Sequence, residues 1–356
     1  MLSIISFLFV LSVLVIIHEF GHFIAAKAQG VAVERFSFGF GPRLFGIKRG
    51  DTEYLVSLIL LGGYVKMAGD EPSSATGGPS EFLSKSVRQR FVIVVLGPLL
   101  NYLLGFLLFW FIFAAGAPTL TNTIGPLMAG YPAQAAGIRT GDRIVSVDGK
   151  PTPYWEGLTD AIHNKREGDL TLAVERKDPS GVRTIELTVT PTRREFTDPF
   201  GTRRVISLIG IAPSDEVASI RYGFFQSFIK AAGQIYKLTE ITAKSLLFLA
   251  AGKMSFKESV TGPIGIFIIT SKAAQMGIMY LLQMMAVLSA SLAIFNLLPL
   301  PVLDGGHILF LVIEKLRGRP LSVRFQERVT QAGLALLIAL TALVFYSDII
   351  KFIIKK

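Results

Sequence analysis

The sequence predicts an α-helical polytopic membrane protein with four transmembrane helices, a membrane-associated β-hairpin and an inserted β-rich domain. Of the 356 residues, 51% are hydrophobic and only 17% are charged, and the mean hydropathy is +0.52, which is too apolar for an ordinary soluble domain. Four segments approach the roughly 20 apolar residues that a bilayer requires. A long polar stretch with alternating hydrophobicity separates the second of these segments from the third.

The predicted spans lie near residues 2–26, 91–115, 278–299 and 331–353. The first lacks the basic start of a signal peptide, so we expect it to be retained. Lys and Arg residues gather between spans one and two and between spans three and four, which predicts that both loops are cytoplasmic. The terminal Lys355 and Lys356 argue weakly for the opposite orientation. The basic residues form no stripe with interleaved aromatics, so the net charge of +10 does not indicate nucleic-acid binding. Positive loops on the cytoplasmic side explain this charge more simply. We therefore expect a lipid bilayer and no nucleic acid as partner.

The first span contains the motif His18-Glu19-Phe20-Gly21-His22. Residues i and i+4 of a helix share a face, so His18 and His22 can present ring nitrogens to one ion. Glu19 is rotated by about 100° and is placed to act as a general base without being a ligand. The alternative is a pair of core histidines, but imidazoles and a carboxylate at membrane depth are costly unless they perform chemistry. Because the chain has no cysteine, a metal must be bound by His and carboxylate side chains.

A catalytic zinc usually has three protein ligands, so a third ligand is expected elsewhere. The third span ends in a stretch from Asn296 to His307 that holds two prolines, an acid and two glycines. Such irregular backbone at membrane depth is tolerated only where it is buried in protein or lines a cavity. Spans one and three run in the same direction, so Asp304 should reach the depth of the two histidines. Asp304 could instead cap the following helix, and His307 competes with it as third ligand.

The loop between spans one and two contains a β-rich segment, Glu53–Leu60, followed by Gly62 and Gly63. This pattern predicts a hairpin that dips toward the membrane. A substrate helix must unwind before it is cleaved, and an exposed strand edge can hold the extended segment. We expect Gly62, Gly63 and Tyr64 to belong to that edge; the alternative is a hairpin that only packs on the spans. Residues 71–80 are predicted to be a flexible linker.

The polar stretch is predicted to be a folded domain over residues 116–213. Its strands are expected at 143–147, 170–175 and 184–190, with turns at Asp148-Gly149 and at 179–181. The segment 132–144 closely resembles the signature of PDZ domains, and the segment 209–211 is a candidate for its groove. An amphipathic helix over residues 224–249 is expected at the membrane surface. The predicted organisation is a membrane half over 1–115, the PDZ-like domain over 116–213, an interfacial region over 214–260 and a second membrane half over 261–356.

Taken together, these motifs resemble the site-2 protease family of intramembrane metalloproteases, most closely its bacterial RseP-like branch. The resemblance implies one Zn²⁺ per chain held by His18, His22 and Asp304, with Glu19 catalytic and Asn296 near the substrate backbone. Only one PDZ-like module is found. The motifs that carry the resemblance, besides the zinc-binding pattern, are Gly39–Pro42, Leu61–Met67, Gly97-Pro98-x-x-Asn101, Gly262–Gly265 and Asn296–Gly306.

The resemblance also implies an activity and a location. The expected substrates are single-pass membrane proteins already trimmed outside the membrane, such as anti-sigma factors or remnant signal peptides. The expected location is the bacterial cytoplasmic membrane, with the active site toward the cytoplasm and the PDZ-like domain on the periplasmic side. That domain could bind a peptide ligand in its groove or exclude large substrates. A membrane metal transporter and a PDZ-bearing scaffold with a vestigial site are the two competing hypotheses.

Overall fold

Both ends of the chain build a membrane unit, and the middle of the chain builds a β-rich unit. The membrane unit comprises Met1–Ile112 and Phe224–Lys356, and the β-rich unit comprises Phe113–Gly223. The computed structural model describes residues 2–71, 75–179, 181–198, 200–255 and 260–354, without the side chains of Leu61 and Ile353. Parts of four expectations lie outside these ranges, namely 72–74 of the linker, Ser180 of the predicted turn, 256–259 of the interfacial region, and Lys355 and Lys356 of the topology argument.

Four helices of the membrane unit are long and apolar enough to cross a bilayer, which confirms the four predicted spans. The last span begins at Val323, earlier than expected, because its polar first turns are also helical. A short helix that was not predicted precedes the third span. The helices of the membrane unit are α1 (Leu2–Ala28), α2 (Val87–Ala115), α5 (Phe224–Ala250), α6 (Pro263–Met276), α7 (Ile278–Asn296), α8 (Asp304–Arg317) and α9 (Val323–Ile349), with a π-helical turn at Ile350–Ile354.

Helix α1 is the centre of this unit. Val10 and Leu14 of α1 are buried together with Met285 of α7. On another side, the ring of Phe7 meets the ring of Phe267 of α6 edge to face at 5.4 Å. These contacts hold the N-terminal half of α1 between α6 and α7, since apolar burial and aromatic pairs stabilise such packing.

Two long antiparallel strands, β1 (Val33–Arg49) and β2 (Thr52–Met67), form a hairpin beside α1. The Ser12 hydroxyl of α1 donates a hydrogen bond to the Leu60 carbonyl at 3.0 Å. The pairing is irregular near Gly39, whose φ of 96° is a conformation that glycine adopts most readily. Close to the turn, Phe45 is 73% exposed, so the hairpin presents apolar surface away from α1.

The described residues of the β-rich unit form a four-stranded sheet and three two-stranded pairs. The strands of the larger sheet lie in the order Lys150–Pro151, Arg143–Val147, Leu170–Asp178 and Gly181–Val189. The core of the unit includes Ile144, Leu158 and Leu172, all fully buried. The pair of Ala117 with Ile220 brings its first and last strands together. Its elements are β3 (Ala117–Leu120), β4 (Ile124–Leu127), α3 (Pro132–Ala135), β5 (Arg143–Val147), β6 (Lys150–Pro151), α4 (Trp155–His163), β7 (Leu170–Asp178), β8 (Gly181–Val189), β9 (Thr192–Thr197), β10 (Arg203–Leu208), β11 (Ile211–Pro213) and β12 (Val217–Ile220).

Helix α5 is amphipathic, in the region where the sequence predicted such a helix. It packs along α2 through polar and aromatic contacts. The Tyr102 and Thr239 hydroxyls are 2.8 Å apart, and the rings of Trp110 and Phe228 meet edge to face at 5.5 Å. Other apolar side chains of α5, such as Phe225 at 79%, remain exposed. A helix with one packed face and an exposed apolar surface is suited to a membrane interface.

Candidate metal centre and active site

The two histidines of the motif lie one helical turn apart in the C-terminal half of α1. Their Nε2 atoms are 3.2 Å apart. The Nδ1 atom of His22 is 2.9 Å from the carbonyl oxygen of Ile93 on α2. A histidine whose Nδ1–H donates to a carbonyl keeps Nε2 free of a proton, so His22 is oriented to offer Nε2 as a ligand.

Glycines allow α2 to approach α1 closely at this point. A Cβ atom at Gly97 would overlap the imidazole of His22, and one at Gly21 would overlap the backbone of Leu96. The backbone of α2 thus fills the space that a side chain at residue 21 would occupy. Gly97 therefore supports the site by leaving room for the His22 ring. In the sequence it stands out only as part of the Gly97-Pro98-x-x-Asn101 motif.

Asp304 is the first residue of α8 and comes from the proline-rich stretch that follows α7. Its Oδ2 atom is 3.2 Å from Nε2 of His18, and its Oδ1 atom is 3.5 Å from Nε2 of His22. A Cβ atom at Gly305 or Gly306 would overlap the carbonyl groups of Leu298 and Leu300, so these glycines let the loop fold back onto the start of α8. The N-cap of α8 is Leu303, so Asp304 is not its capping residue.

His18, His22 and Asp304 therefore meet, although the third is far from the others in sequence. One donor atom from each lies within 4.8 Å of the other two. Two ligand atoms held about 2.1 Å from one tetrahedral ion are about 3.4 Å apart, close to the separations of 3.2, 3.2 and 3.5 Å found here. Two imidazoles and a carboxylate are also a ligand set of catalytic zinc, so the donor set fits this metal. His307, the competing ligand, is not part of this group among the described residues.

Glu19 lies beside the three donors but does not belong to their group. Its neighbour from the hairpin is Gly63, where an added Cβ atom would lie 3.6 Å from Cγ of Glu19. Strand β2 therefore passes directly by the candidate base. Gly62 lies against the ring of Phe40, which stacks on Tyr64 with ring centroids 6.2 Å apart. In the described part of the chain, Glu53–Val56 of β2 pair with β1 on both edges, whereas Gly63–Met67 pair with β1 on one edge and have no strand partner on the other.

Asn296, at the end of α7, lies beside the group formed by His18, His22 and Asp304. Its Nδ2 atom is 3.5 Å from Nδ1 of His18. The side chain is thus placed beside the histidine whose other nitrogen faces Asp304. The resemblance had implied a position near the substrate backbone, which stays a prediction.

The donors line a cavity of about 880 Å³ that extends along α8 and α9. The guanidinium of Arg90 on α2 donates to the carboxylate of Glu314 on α8 at 2.5 Å, and both side chains line this cavity. Burial raises the pKa of the Asp70 carboxyl at the cavity wall above its ordinary value, although the Met67 N–H donates to it. Sequence reasoning missed Arg90 and Glu314, because each lies at the polar end of an apolar segment and is far from the other along the chain. The wall is largely apolar, and polar side chains on it such as Arg90, Glu314 and Gln331 offer hydrogen-bond partners to water.

Comparisons with known proteins identify the family to which the sequence is similar. A sequence model of peptidase family M50 matches residues 6–340. The chain is 34% identical over 361 residues to a protein of Rhizobium meliloti (strain 1021) that is provisionally named a zinc metalloprotease, covering 97% of this chain and 95% of that relative. It is 29% identical over 449 residues to the regulator of sigma-E protease RseP of Escherichia coli (strain K12), covering 96% of this chain and 97% of that relative.

Proposed function

Since the chain belongs to peptidase family M50 and is a zinc metalloprotease, we propose that it is an intramembrane endopeptidase that cleaves transmembrane segments of single-pass membrane proteins. One observation carries the proposal: two donors of the His18, His22 and Asp304 group lie inside a helix long and apolar enough to span the bilayer. A hydrolytic centre at that depth has membrane-embedded peptide bonds as its substrates.

In this proposal His18, His22 and Asp304 hold one zinc ion. Bound zinc supplies Lewis acidity to the attacking water and to the scissile carbonyl. Glu19 takes a proton from the water and delivers it to the nitrogen that leaves, so it acts first as base and then as acid. Asn296, whose amide lies beside His18, is proposed to extend a donor toward the substrate backbone.

The unpaired edge of Gly63–Met67 in β2 is proposed to hold the substrate as an extended strand. The position of Gly63 beside Glu19 supports this role, because a strand added at that edge would pass close to the base. Gly62 and Tyr64 would belong to the same edge. The missing side chains at Gly62 and Gly63 make room for the Phe40 ring and the Ser37 carbonyl of β1, so these glycines let the hairpin pack closely beside the base.

The β-rich unit is proposed to be a PDZ-like domain that excludes substrates with large outer domains. The PDZ-like segment 132–144 and the close pairing of its first and last strands support a separate inserted module. A peptide ligand in a groove beside β11 is the alternative role. The proposed setting is the bacterial inner membrane, with this domain on the periplasmic side and the active site toward the cytoplasm, as the positive loops indicate.

The substrates are proposed to be membrane proteins whose outer part has already been removed. Anti-sigma factors fit this description and accord with the name of the relative from Escherichia coli, regulator of sigma-E protease; remnant signal peptides fit it too. In both classes a short outer part would pass the PDZ-like domain and a single apolar helix would reach the metal centre.

The decisive experiment follows cleavage of a labelled transmembrane segment by purified protein in lipid vesicles. We expect cleavage by the wild type, its loss on addition of a zinc chelator, and no turnover in Glu19→Gln, with one zinc ion still bound per chain. Removal of a general base lowers kcat by about 10²–10⁴-fold or more. Wild-type activity in Glu19→Gln would refute the role of Glu19. Bound zinc without cleavage of any transmembrane segment by the wild type would favour the transporter or scaffold hypotheses.

A further inference from the structure

A second buried acid lies inside the membrane unit, far along the chain from the metal group. Asp348, in the last turn of α9, is 0% exposed, and the helix that carries it is otherwise apolar over 332–346. An ionisable side chain within a membrane span is costly unless it is paired and hydrogen-bonded. The proposed catalytic mechanism does not use it.

The partners of Asp348 are backbone groups at the start of α6. The N–H of Gly262 donates to one carboxylate oxygen at 3.1 Å, and the N–H of Gly265 donates to the other at 2.9 Å. Gly262 is the N-cap of α6 and has no side-chain cap of its own, and Pro263 has no N–H to satisfy. The positive end of the α6 dipole therefore receives an anion from another helix.

The glycines of this segment have a physical reason in the same contact. A Cβ atom at Gly262 would lie 2.7 Å from a carboxylate oxygen of Asp348. A Cβ atom at Gly265 would lie 2.8 Å from the ring of Phe352, which follows α9. Lys351 adds a weak contact, with Nζ 3.5 Å from the carbonyl oxygen of Val260. The Gly-Pro-Ile-Gly motif is thus a docking site for the end of α9.

Near the site, helix α9 packs at Gly333 against Pro301 of the stretch before α8. It exposes most of its apolar surface, since only 11% of the residues in its most apolar stretch of 18 are buried. Its first half nevertheless forms one wall of the catalytic cavity, through Gln326, Thr330 and Gln331 among others. Helix α6 in turn packs on α1, the helix that carries His18 and His22, through the contact of Phe267 with Phe7.

We infer that Asp348 is a positioning residue for substrate binding. Its carboxylate fastens α9 to α6, and through α6 to α1, and so sets the position of the cavity wall that an unwound substrate segment contacts. Asp348 touches no reacting atom. Its loss changes how well the segment is bound and leaves the bond-breaking step intact. The substrate class in this inference rests on the proposed function.

The test uses two variants of the full chain. Asp348→Leu keeps the volume similar and leaves the N–H groups of Gly262 and Gly265 without an acceptor, whereas Asp348→Asn keeps one acceptor oxygen and removes the charge. Thr341→Val is the matched control, because the Thr341 hydroxyl bonds only to Leu337 of its own helix in the same span. If Asp348→Leu fails to insert, Asp348→Asn carries the test alone.

The first readout needs no substrate. The chain has no cysteine, so spin labels on cysteines introduced at Ile269 of α6 and Leu343 of α9, both partly exposed, are the only labels. We expect one narrow distance distribution in the parent and in Thr341→Val, and a broadened or shifted one in both Asp348 variants. An unchanged distribution in the Asp348 variants would overturn the inference, whether or not the protein cleaves transmembrane segments.

The second readout separates positioning from general stability. We expect the KM for the transmembrane substrate, expressed as its fraction in lipid, to rise about tenfold in Asp348→Leu and less in Asp348→Asn, with kcat within about twofold of the parent. Zinc content should stay at the parent value. A fall in kcat at unchanged KM, or an unchanged KM, would refute the role in substrate binding.

Discussion

The orientation of His22 depends on two contacts with α2. The Ile93 carbonyl accepts from Nδ1, and Gly97 leaves room for the ring. Neither contact can be read from the His-Glu-x-x-His motif, because both come from a helix that begins far along the chain. The motif supplies the ligands, and α2 supplies their position. Outer contacts of this kind typically change metal affinity by about 10–100-fold.

Gly97→Ala tests this dependence directly. The new Cβ atom would overlap the His22 imidazole, so we expect zinc affinity to fall about 10-fold or more. Alanine favours a helix over glycine by about 1 kcal/mol, so a loss cannot come from helix propensity. The measurement is zinc retained against a graded chelator. Gly233→Ala on α5, where an added Cβ atom meets nothing, is the control. Equal zinc retention in the Gly97 variant and the parent would contradict the prediction.

At the scale of elements, one ion pair joins α2 to α8 beside the metal group. Arg90 and Glu314 are 2.5 Å apart, with side chains only 11% and 15% exposed. Helix α8 begins with Asp304 and α2 contacts His22, so this pair links the two sides of the metal centre. Removing one partner of a largely buried ion pair strongly destabilises the folded protein, because the other charge stays buried without compensation.

A double-mutant cycle measures this link. We expect Arg90→Met and Glu314→Gln each to lower the free energy of unfolding in mixed micelles by about 2–4 kcal/mol, and the double variant to lose less than the sum. The coupling should be about 1–2 kcal/mol. The exposed pair of Lys244 and Glu240 on α5 is the control, with an expected coupling of about 0.5 kcal/mol or less. Additive losses for Arg90 and Glu314 would show that the link does not operate.

The sequence predicted elements well where hydropathy and a local motif coincide. The four spans and the strand at Arg143–Val147 lie where these patterns placed them. Helix α6 was missed because its 14 residues are too few to span a membrane, and it meets α7 at Gly277, whose φ is 121°. Hydropathy marks the part of a helix that contacts lipid, so it could not place the start of α9 among polar residues.

The sequence predicted that the three candidate ligands meet, and it did not predict the residues around them. His18, His22 and Asp304 could be paired from the sequence because two motifs of zinc chemistry were placed at one depth by topology. The cavity walls come from contacts between helices that no local pattern encodes. The acceptor role of Asp348 was missed for the same reason. The sequence shows a single acid in an apolar span, but it does not show which distant N–H groups donate to that acid.

For the whole molecule, the β-rich unit is inserted in a way that makes it separable. Its strands β3 and β12 pair from Ala117 with Ile220 to Leu120 with Val217. The chain therefore enters and leaves the β-rich unit at neighbouring positions. A membrane unit made from both ends of the chain can then keep its contacts if the insert is replaced by a short turn.

Excision of residues 121–216 with an Asn-Gly link between Leu120 and Val217 would turn β3 and β12 into a simple hairpin, because Asn-Gly favours the two-residue turn that suits such strands. If the insert excludes large substrates, the shortened chain should bind zinc and cleave a trimmed transmembrane segment within about threefold of the full chain. It should also cleave a substrate with a folded outer domain at least about tenfold faster than the full chain does. Cleavage of both substrates in lipid vesicles gives the comparison, with Glu19→Gln in the shortened chain as background. A shortened chain that cleaves the trimmed segment and still refuses the folded one would rule out exclusion by the insert, because the only part removed would then have had no effect on access.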